Sequence, residues 1–248
     1  MPHTRLNRLL NGILIDLVYK VCAMSEEEDI SIGIVGLSEW EVEDGQTGRE
    51  LFIKTTRAIV KTLIHHDPQA PTSKAVIWVC GASGGLDGPA DHMYKSLGEE
   101  LSPKITSLRV DYRYPGDLTE SVMDTLSAVS FLTGTGHDDI LLVGHSFGGA
   151  VVISAAPFSE QVKGVIALSS QTAGSFNVAD VSPRPLLLIH GDEDSVLSHS
   201  CSELIFDWAE EPKELVLMPA TGHRLTETSS DVKFKVKSWI ENHLRDTG

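Results

Sequence analysis

Short, mostly apolar runs alternate with longer amphipathic stretches from about residue 75 to the end of the chain. Runs such as 75–80 (AVIWVC) and 186–190 (LLLIH) are typical of strands buried on both faces of a sheet. The longer stretches place hydrophobic residues three or four positions apart, which indicates helices. The predicted strands are 75–80, 105–112, 140–144, 164–169, 186–190 and 215–218, and the predicted helices are 90–101, 119–132, 147–156, 201–208 and 232–244. Because parallel strands need crossover helices, this alternation predicts an α/β fold with a mostly parallel central sheet flanked by helices.

The region before residue 75 has a weaker pattern. Residues 30–42 look extended, and Asp44-Gly45 indicates a turn. Residues 49–64 align some apolar positions at helical spacing, but their many β-branched residues favour antiparallel strands. We predict strands there, with a helix as the alternative.

Hydrophobic residues recur at helical spacing near the amino terminus. The segment from Leu6 to Val21 therefore predicts an amphipathic helix, and the acidic run 26–29 predicts a solvated linker. The expected organisation is this helix and linker over residues 1–30, followed by a single α/β domain over residues 31–248.

The same amino-terminal stretch has some features of a targeting segment. Arg5 and Arg8 precede its apolar run, but Asp16 and Lys20 interrupt the run and no clear cleavage site follows. We expect a cytoplasmic protein, with targeting to an organelle through residues 1–24 as the alternative. The stretch is too short and too charged to span a bilayer.

Composition narrows the classes of partner and cofactor. The 248 residues carry a formal net charge of −15, which disfavours nucleic acid as a partner. The three cysteines, Cys22, Cys80 and Cys201, are scattered and lack metal-ligand spacing. This usage fits a reducing compartment, and no metal or organic cofactor is expected.

The strongest chemical signal is the segment 144–148, GHSFG, which fits G-x-S-x-G. It lies between an apolar strand and an apolar helix, the context in which a sharp turn exposes a nucleophilic serine. The flanking glycines are expected because side chains there would collide across the turn. Ser146 is the candidate nucleophile; the alternative is a glycine-rich turn with an incidental serine.

A serine hydroxyl needs a base within hydrogen-bond reach. His223 follows the last predicted strand and precedes the last helix, so it should lie at the sheet edge that carries Ser146. It is the candidate base, with a structural histidine as the alternative. His145 adjoins the serine in sequence, but the turn should point it elsewhere.

The acid should hold the imidazole in one tautomer and stabilise its protonated form. Asp192, Glu193 and Asp194 crowd the loop after strand 186–190, so several carboxylates compete. Asp194 is the candidate acid, with Asp192 and Asp180 as alternatives. The chain order is then serine, acid, histidine.

Acyl transfer also needs donors for an oxyanion. One is the backbone N–H of Phe147 at the start of the following helix. The other is the N–H of Ala82, whose glycine-rich loop over 81–85 can curl close to a substrate carbonyl. This loop lacks the G-x-x-x-x-G-K-[ST] pattern of a phosphate-binding loop.

Over roughly residues 70–245 the chain resembles the α/β-hydrolase superfamily. The matching segments are GHSFGG, CGASGG, HGDEDSV and TGH, together with DYR at 111–113, which looks like a segment of esterase relatives. In such families the acid usually falls three residues after the glycine of the H-G-x-x-D loop, and Gly191 then implies Asp194.

Two departures from the superfamily pattern matter. Cys80 stands where a histidine usually precedes the oxyanion glycine, and we interpret it as a buried packing residue. Only residues 171–184 separate two predicted strands where many relatives insert a cap, so no cap domain and an open site are expected.

The resemblance implies a carboxylesterase-like serine hydrolase that acts on a small-molecule acyl substrate. An open pocket suits small esters or thioesters. The alternative is a non-catalytic ligand- or partner-binding protein on the same scaffold.

Overall fold

A computed structural model of the chain describes residues 15–18, 31–40 and 48–245. The strands described are β1 (Ile15–Val18), β2 (Ser31–Trp40), β3 (Arg49–Thr55), β4 (Ile59–His65), β5 (Lys74–Val79), β6 (Thr106–Asp111), β7 (Asp139–His145), β8 (Val162–Leu168), β9 (Leu186–Gly191) and β10 (Lys213–Met218). The helices described are α1 (Pro89–Leu101), α2 (Leu118–Gly134), α3 (Phe147–Ala155), α4 (Ser200–Trp208) and α5 (Ser229–His243). Short 3₁₀ turns lie at Ala156–Phe158 and Val178–Val181.

The strands form one sheet in the order β1-β2-β3-β4-β6-β5-β7-β8-β9-β10. Strands β5 to β10 are mutually parallel, as their alternation with helices predicts. Strand β7, which leads into Ser146, lies inside the sheet between β5 and β8, so its residues 140–143 are buried on both faces. Parallel strands end at the same edge, and this carboxyl edge therefore collects the loops that follow β5, β7, β9 and β10.

Helices cover both faces of the sheet. One core contains Val122 of α2, Val151 of α3 and Ile205 of α4, all packed against the sheet. The core on the opposite face contains Leu97 of α1 and Val236 of α5. This double covering explains why the central strands contain continuous apolar runs, such as 75–79, 140–143 and 186–189, and do not alternate.

The strands predicted over residues 49–64 are confirmed, and the helical alternative is wrong. β3 and β4 form an antiparallel hairpin in which Ile53 lies opposite Val60. β2 pairs with β3, as the extended pattern over 30–42 predicts. β-Branched side chains pack well on such a pleated surface, which decides against the helix. The predicted turn at residues 44 and 45 lies outside the described residues.

The amphipathic helix predicted from Leu6 to Val21 is wrong over residues 15–18. These residues form β1, which pairs antiparallel with β2 and brings Ile15 opposite Ile34. Hydrophobic spacing cannot reveal that β2 offers an edge of free backbone donors and acceptors for a further strand. The rest of residues 1–30 lies outside the described residues. This part includes the acidic run 26–29 and most of residues 1–24, on which the targeting alternative depends.

The connection between β8 and β9 is short, which confirms that no cap domain follows β8. Its 3₁₀ turn at Val178–Val181 is the only helical element there. The connection folds back on α3, because the hydroxyl of Ser154 donates to the carbonyl of Gly174 at 2.6 Å. Among the residues that the structure describes, no helix is long and apolar enough to cross a membrane.

The position of β7 in the sheet predicts the cost of removing its side chains. Leu142 is fully buried on β7, whereas Leu217 on the edge strand β10 is 39% exposed. We expect Leu142→Ala to lower the free energy of unfolding by about 2–5 kcal/mol, through lost burial and a residual cavity. The matched variant Leu217→Ala should cost less than about 1 kcal/mol. Urea denaturation measures both, and equal costs would contradict this strand order.

Candidate active site

Ser146 lies at the turn between β7 and α3 with φ 59° and ψ −119°, a conformation that non-glycine residues rarely adopt. Its own N–H donates to the carbonyl of Leu168 at the end of β8, at 2.8 Å. The half-buried serine is thus held at the carboxyl edge of the sheet. Such strain is characteristic of functional turns, where the surrounding structure maintains it.

The glycines on either side of Ser146 are required by close backbone contacts. A Cβ atom on Gly144 would lie 2.0 Å from the carbonyl oxygen of Gly148. A Cβ atom on Gly148 would lie 2.3 Å from the carbonyl oxygen of Cys80 on the neighbouring loop. Both collisions are with backbone, so only glycine fits. The expected collision across the turn is found at Gly144, whereas at Gly148 the collision is with the loop after β5.

His223 lies on the loop after β10 and reaches Ser146. Its Nε2 is 3.1 Å from Oγ of Ser146, and its side chain is 13% exposed. This distance is within hydrogen-bond range for a hydroxyl and an imidazole nitrogen. The ring of His223 can therefore contact both the hydroxyl of Ser146 and solvent.

Asp194 lies behind His223, and its side chain is fully screened from solvent. Its Oδ2 is 2.6 Å from Nδ1 of His223. The backbone N–H groups of Val196 and Leu197 donate to its Oδ1 at 2.8 and 2.9 Å. The competing carboxylates are exposed to solvent, namely those of Asp192, Glu193 and Asp180. The geometry brings together the three predicted residues and none of these alternatives.

Backbone contacts hold the loop that carries Asp194 against the loop that carries His223. The N–H of Glu193 donates to the carbonyl of Thr221 at 3.0 Å. A Cβ atom on Gly191 would lie 2.1 Å from that same carbonyl oxygen. The distance between Asp194 and His223 therefore depends on packing of main chain against main chain, which is stiffer than a contact between two side chains.

The local field favours the ionised form of Asp194. Burial by itself raises the pKa of this carboxyl group, but hydrogen bonds from the Leu197 amide, His223 and the Val196 amide outweigh it and lower the pKa. An ionised carboxylate only accepts hydrogen bonds, so Nδ1 of His223 carries a proton. Nε2 of the neutral ring is then free to accept the proton of Ser146.

Two further histidines contact this site and were not identified from the sequence. Nε2 of His190 lies 3.0 Å from Oδ2 of Asp194. Nε2 of His145 lies 3.0 Å from the carbonyl oxygen of His223, and the two rings are 4.9 Å apart. Burial lowers the pKa of His145 to about 4 and so keeps this ring uncharged beside His223. His145 thus contacts the main chain of the loop that carries His223.

The loop after β5 passes next to the nucleophile. A Cβ atom on Gly81 would lie 3.8 Å from Oγ of Ser146. The following turn is held by Asp111, whose Oδ1 accepts the N–H of Gly85 at 2.8 Å. Ala82 lies within this loop, and Phe147 begins α3 with its ring packed edge-on against Tyr112. Both predicted oxyanion donors therefore belong to segments that border Ser146.

Cys80 does not have the properties of a nucleophile. It is buried in the core, and burial raises the pKa of its thiol to about 12. A protonated, buried thiol is unreactive. Over the described ranges, no group of three or more His, Cys, Asp or Glu side chains is arranged to hold a metal ion.

Comparison with known proteins gives a short sequence match and many similar folds. No family model matches the sequence. The Escherichia coli K12 protein named "uncharacterized protein YfhR" is 45% identical over 56 residues, which are 23% of this chain and 20% of that relative. A protein of the same name from Salmonella typhi is 36% identical over 56 residues. The chain therefore matches only about a fifth of the length of these curated relatives.

Similar solved structures cover most of the chain. Est1E from Butyrivibrio proteoclasticus has a TM-score of 0.70 at 18% identity and covers 80% of this chain and 99% of its own. A dienelactone hydrolase from Anabaena variabilis has a TM-score of 0.69 at 17% identity, covering 84% and 99%. A Xanthomonas campestris α/β serine hydrolase without a lid has a TM-score of 0.66 at 20% identity, covering 84% and 99%.

This chain has the α/β-hydrolase fold. The predicted fold class is confirmed, including the mostly parallel sheet and the absence of a cap. In this α/β-hydrolase scaffold, Ser146, Asp194 and His223 follow strands β7, β9 and β10 in turn. At this level of identity the likeness concerns the fold, so the roles of the three residues rest on their geometry.

Burial of uncharged His145 predicts how stability depends on pH. Its folded-state pKa of about 4 lies below the ordinary 6.5, so the unfolded chain takes up this proton first as pH falls. The free energy of unfolding should therefore decrease between pH 6.5 and about 4. His145→Gln keeps a donor for the carbonyl of His223 but cannot be protonated. Between pH 7 and 4.5, the free energy of unfolding of this variant should fall by about 2 kcal/mol less than that of the wild type.

Urea denaturation at several pH values measures this difference. Subtracting the variant from the wild type cancels the titration of all other groups. Identical pH dependence in the two proteins would contradict an uncharged His145 in the folded state.

Proposed function

We propose that this protein is a serine hydrolase that cleaves small ester or thioester substrates through an acyl-enzyme intermediate. The observation that carries the proposal is the continuous line of hydrogen bonds from Oγ of Ser146 through His223 to Asp194, at 3.1 and 2.6 Å. A hydroxyl, an imidazole and a buried carboxylate in this arrangement form the constellation that activates serine for acyl transfer.

In the first half-reaction, Oγ of Ser146 attacks the acyl carbon while Nε2 of His223 takes its proton. The ionised carboxylate of Asp194 stabilises the imidazolium that forms. The tetrahedral oxyanion accepts hydrogen bonds from the N–H groups of Ala82 and Phe147. His223 then returns the proton to the leaving oxygen or sulfur, which departs and leaves an ester on Ser146.

In the second half-reaction, water replaces the leaving group. His223 removes a proton from the water, which attacks the acyl-enzyme through a second tetrahedral intermediate. The same two N–H groups stabilise its oxyanion. Collapse of this intermediate returns the proton to Ser146 and releases a carboxylic acid, so each cycle consumes one ester or thioester and one water.

The substrate class follows from the open carboxyl edge. A connection of this length after β8 provides no cap to enclose a long acyl chain, so the site suits small or protruding acyl groups. Est1E, which has a similar fold, was also solved with ferulic acid bound. This favours a small-molecule acyl substrate here. The chemistry above requires neither a metal nor an organic cofactor.

A cytoplasmic location is part of the proposal. Cys80 and Cys201 are both free thiols, which fits a reducing compartment. The net charge of −15 also leaves nucleic acid out of the proposed partners.

The second candidate is a ligand- or partner-binding protein on the same scaffold, since fold alone does not imply catalysis. The strained backbone of Ser146 favours the enzyme, because a binding protein has no need to expose a serine hydroxyl to an imidazole. Turnover decides between the two: a binding protein would retain a small ester without hydrolysing it.

Replacing the acid predicts a specific loss of activity. Asp194→Asn preserves the size of the side chain but removes the charge that stabilises the His223 imidazolium. We expect kcat for p-nitrophenyl acetate to fall by about 10³–10⁴. Asp192→Asn, two residues away on the exposed part of the same loop, is the matched control and should stay within about threefold of wild type. The reverse pattern would assign the acid to Asp192.

Replacing the buried thiol predicts the opposite result. Cys80→Ala removes a thiol, a chemical group that can act as a nucleophile in other enzymes, directly before the proposed oxyanion loop. Because that thiol stays protonated and buried, the variant should keep kcat within about threefold, at a stability cost of about 1 kcal/mol. Loss of p-nitrophenyl acetate hydrolysis in a folded Cys80→Ala protein would contradict the assignment of Ser146 as nucleophile.

A further inference from the structure

The carboxylate of Asp194 has a second imidazole bound to it. Its Oδ2 lies 2.6 Å from Nδ1 of His223 and 3.0 Å from Nε2 of His190. His190 belongs to the carboxyl end of β9 and has no exposed surface. A single carboxylate oxygen therefore faces two histidine rings, one that reaches Ser146 and one that does not.

The partners of His190 determine which of its nitrogens carries the proton. Nε2 faces Oδ2 of Asp194 and the carbonyl oxygen of Leu197, both at 3.0 Å, and both atoms only accept. Nε2 therefore carries the proton. Nδ1 lies 2.7 Å from the hydroxyl of Ser202, which can donate to it. Ser202 is itself fully buried on α4, so this hydroxyl has a fixed place.

His190 remains uncharged in this environment. Burial is the main cause that lowers its pKa, and it outweighs the opposing effect of Asp194. A neutral ring with its proton on Nε2 can donate to Asp194 without cancelling the negative charge that His223 needs.

We propose that His190 is a positioning residue of the acid: its Nε2–H, fixed by the hydroxyl of Ser202, orients Oδ2 of Asp194 toward His223 and limits the basicity of that oxygen. This inference rests on the proposed function and adds a fourth residue to its hydrogen-bonded line. His190 does not touch the substrate and acts through Asp194.

The hydrogen bonds of Asp194 explain how removing His190 would change this carboxylate. Its Oδ1 is held by two backbone amides, whereas the donors to Oδ2 in the described structure are both histidines. Removing His190 leaves Oδ2 with the His223 donor alone. The more basic oxygen then holds the His223 imidazolium more strongly, so at low pH a larger share of that ring is already protonated and cannot accept the proton of Ser146.

The surrounding charges on other elements stay the same in such a variant. The groups whose charge acts on His190 are Asp194 and His223, and Arg224 acts on His145 beside His223. The loop and helix after β9 also carry Asp192, Glu193, His199, Cys201, Glu203 and Asp207. A change in pH dependence on removing His190 therefore reports on its bond to Asp194.

The test compares two variants of similar length and shape. His190→Gln keeps an N–H that can reach Oδ2 of Asp194, whereas His190→Met removes it. We expect His190→Met to lower kcat/KM for p-nitrophenyl acetate roughly tenfold, mainly through kcat, and to move the acidic limb of its pH profile upward by about half a unit or more. His190→Gln should recover most of the lost kcat and bring the acidic limb back toward that of the wild type. Equal losses in both variants, with an unshifted acidic limb, would make His190 a packing residue and overturn the inference.

A second measurement does not need activity. In the full chain labelled with ¹⁵N-histidine, ring spectra should give His190 the neutral Nε2–H form across pH 6–8. Ser202→Ala removes the donor to Nδ1 and should shift that ring's nitrogen signals, whereas Ser200→Ala, on the exposed first turn of α4, should not. A protonated ring or an Nδ1–H form would overturn the inference even in an active enzyme. Conversely, the expected tautomer in a wild type that fails to hydrolyse any ester would refute the proposed function and leave the His190–Asp194 bond established.

Discussion

The whole site depends on a steric constraint at the end of β7. The chain turns so sharply at Ser146 that Gly144 and Gly148 meet backbone where other residues have a side chain. This contact fixes the start of α3 against the loop after β5, and the N–H of Ser146 fixes it to the end of β8. The strain of the serine is therefore sustained by three neighbouring strands, and the hydroxyl is presented at one defined point on the sheet edge.

A second set of main-chain contacts brings the other two residues to that point. The loops after β9 and β10 pack against each other through Gly191 and Thr221, and His145 at the end of β7 donates to the carbonyl of His223. Asp194 is held on one side by backbone amides and on the other by imidazoles. The sheet thus determines where Ser146, Asp194 and His223 lie, and the polar contacts at its carboxyl edge determine which of their side chains carry protons.

Local spacing was enough to predict most of this arrangement. The elbow at Ser146 and the position of His223 each follow from a strand, a turn and a glycine close together in the chain. Spacing leaves several carboxylates after β9 in competition, and the resemblance to the α/β hydrolases selects Asp194 among them. The length of the connection between β8 and β9 was enough to predict an uncapped edge. The strands over residues 49–64 followed from their β-branched composition.

The contacts that sequence spacing could not predict are all tertiary. The H-G-x-x-D match uses His190 only to locate Asp194, because nothing in the sequence indicates that this carboxylate folds back over the ring. The polar residue before Gly191 was the available signal: a histidine that ends a buried strand needs a partner. Residues 15–18 were assigned to a helix because hydrophobic spacing over a few residues does not reveal the free edge of β2.

The central claim is that folding makes the hydroxyl of Ser146 nucleophilic. The most direct measurement is covalent labelling with a fluorophosphonate, followed by peptide mass spectrometry. We expect one adduct, on Ser146, that disappears when the protein is unfolded in urea before the probe is added. A folded wild type that stays unmodified, or that carries its adduct on another residue, would contradict it.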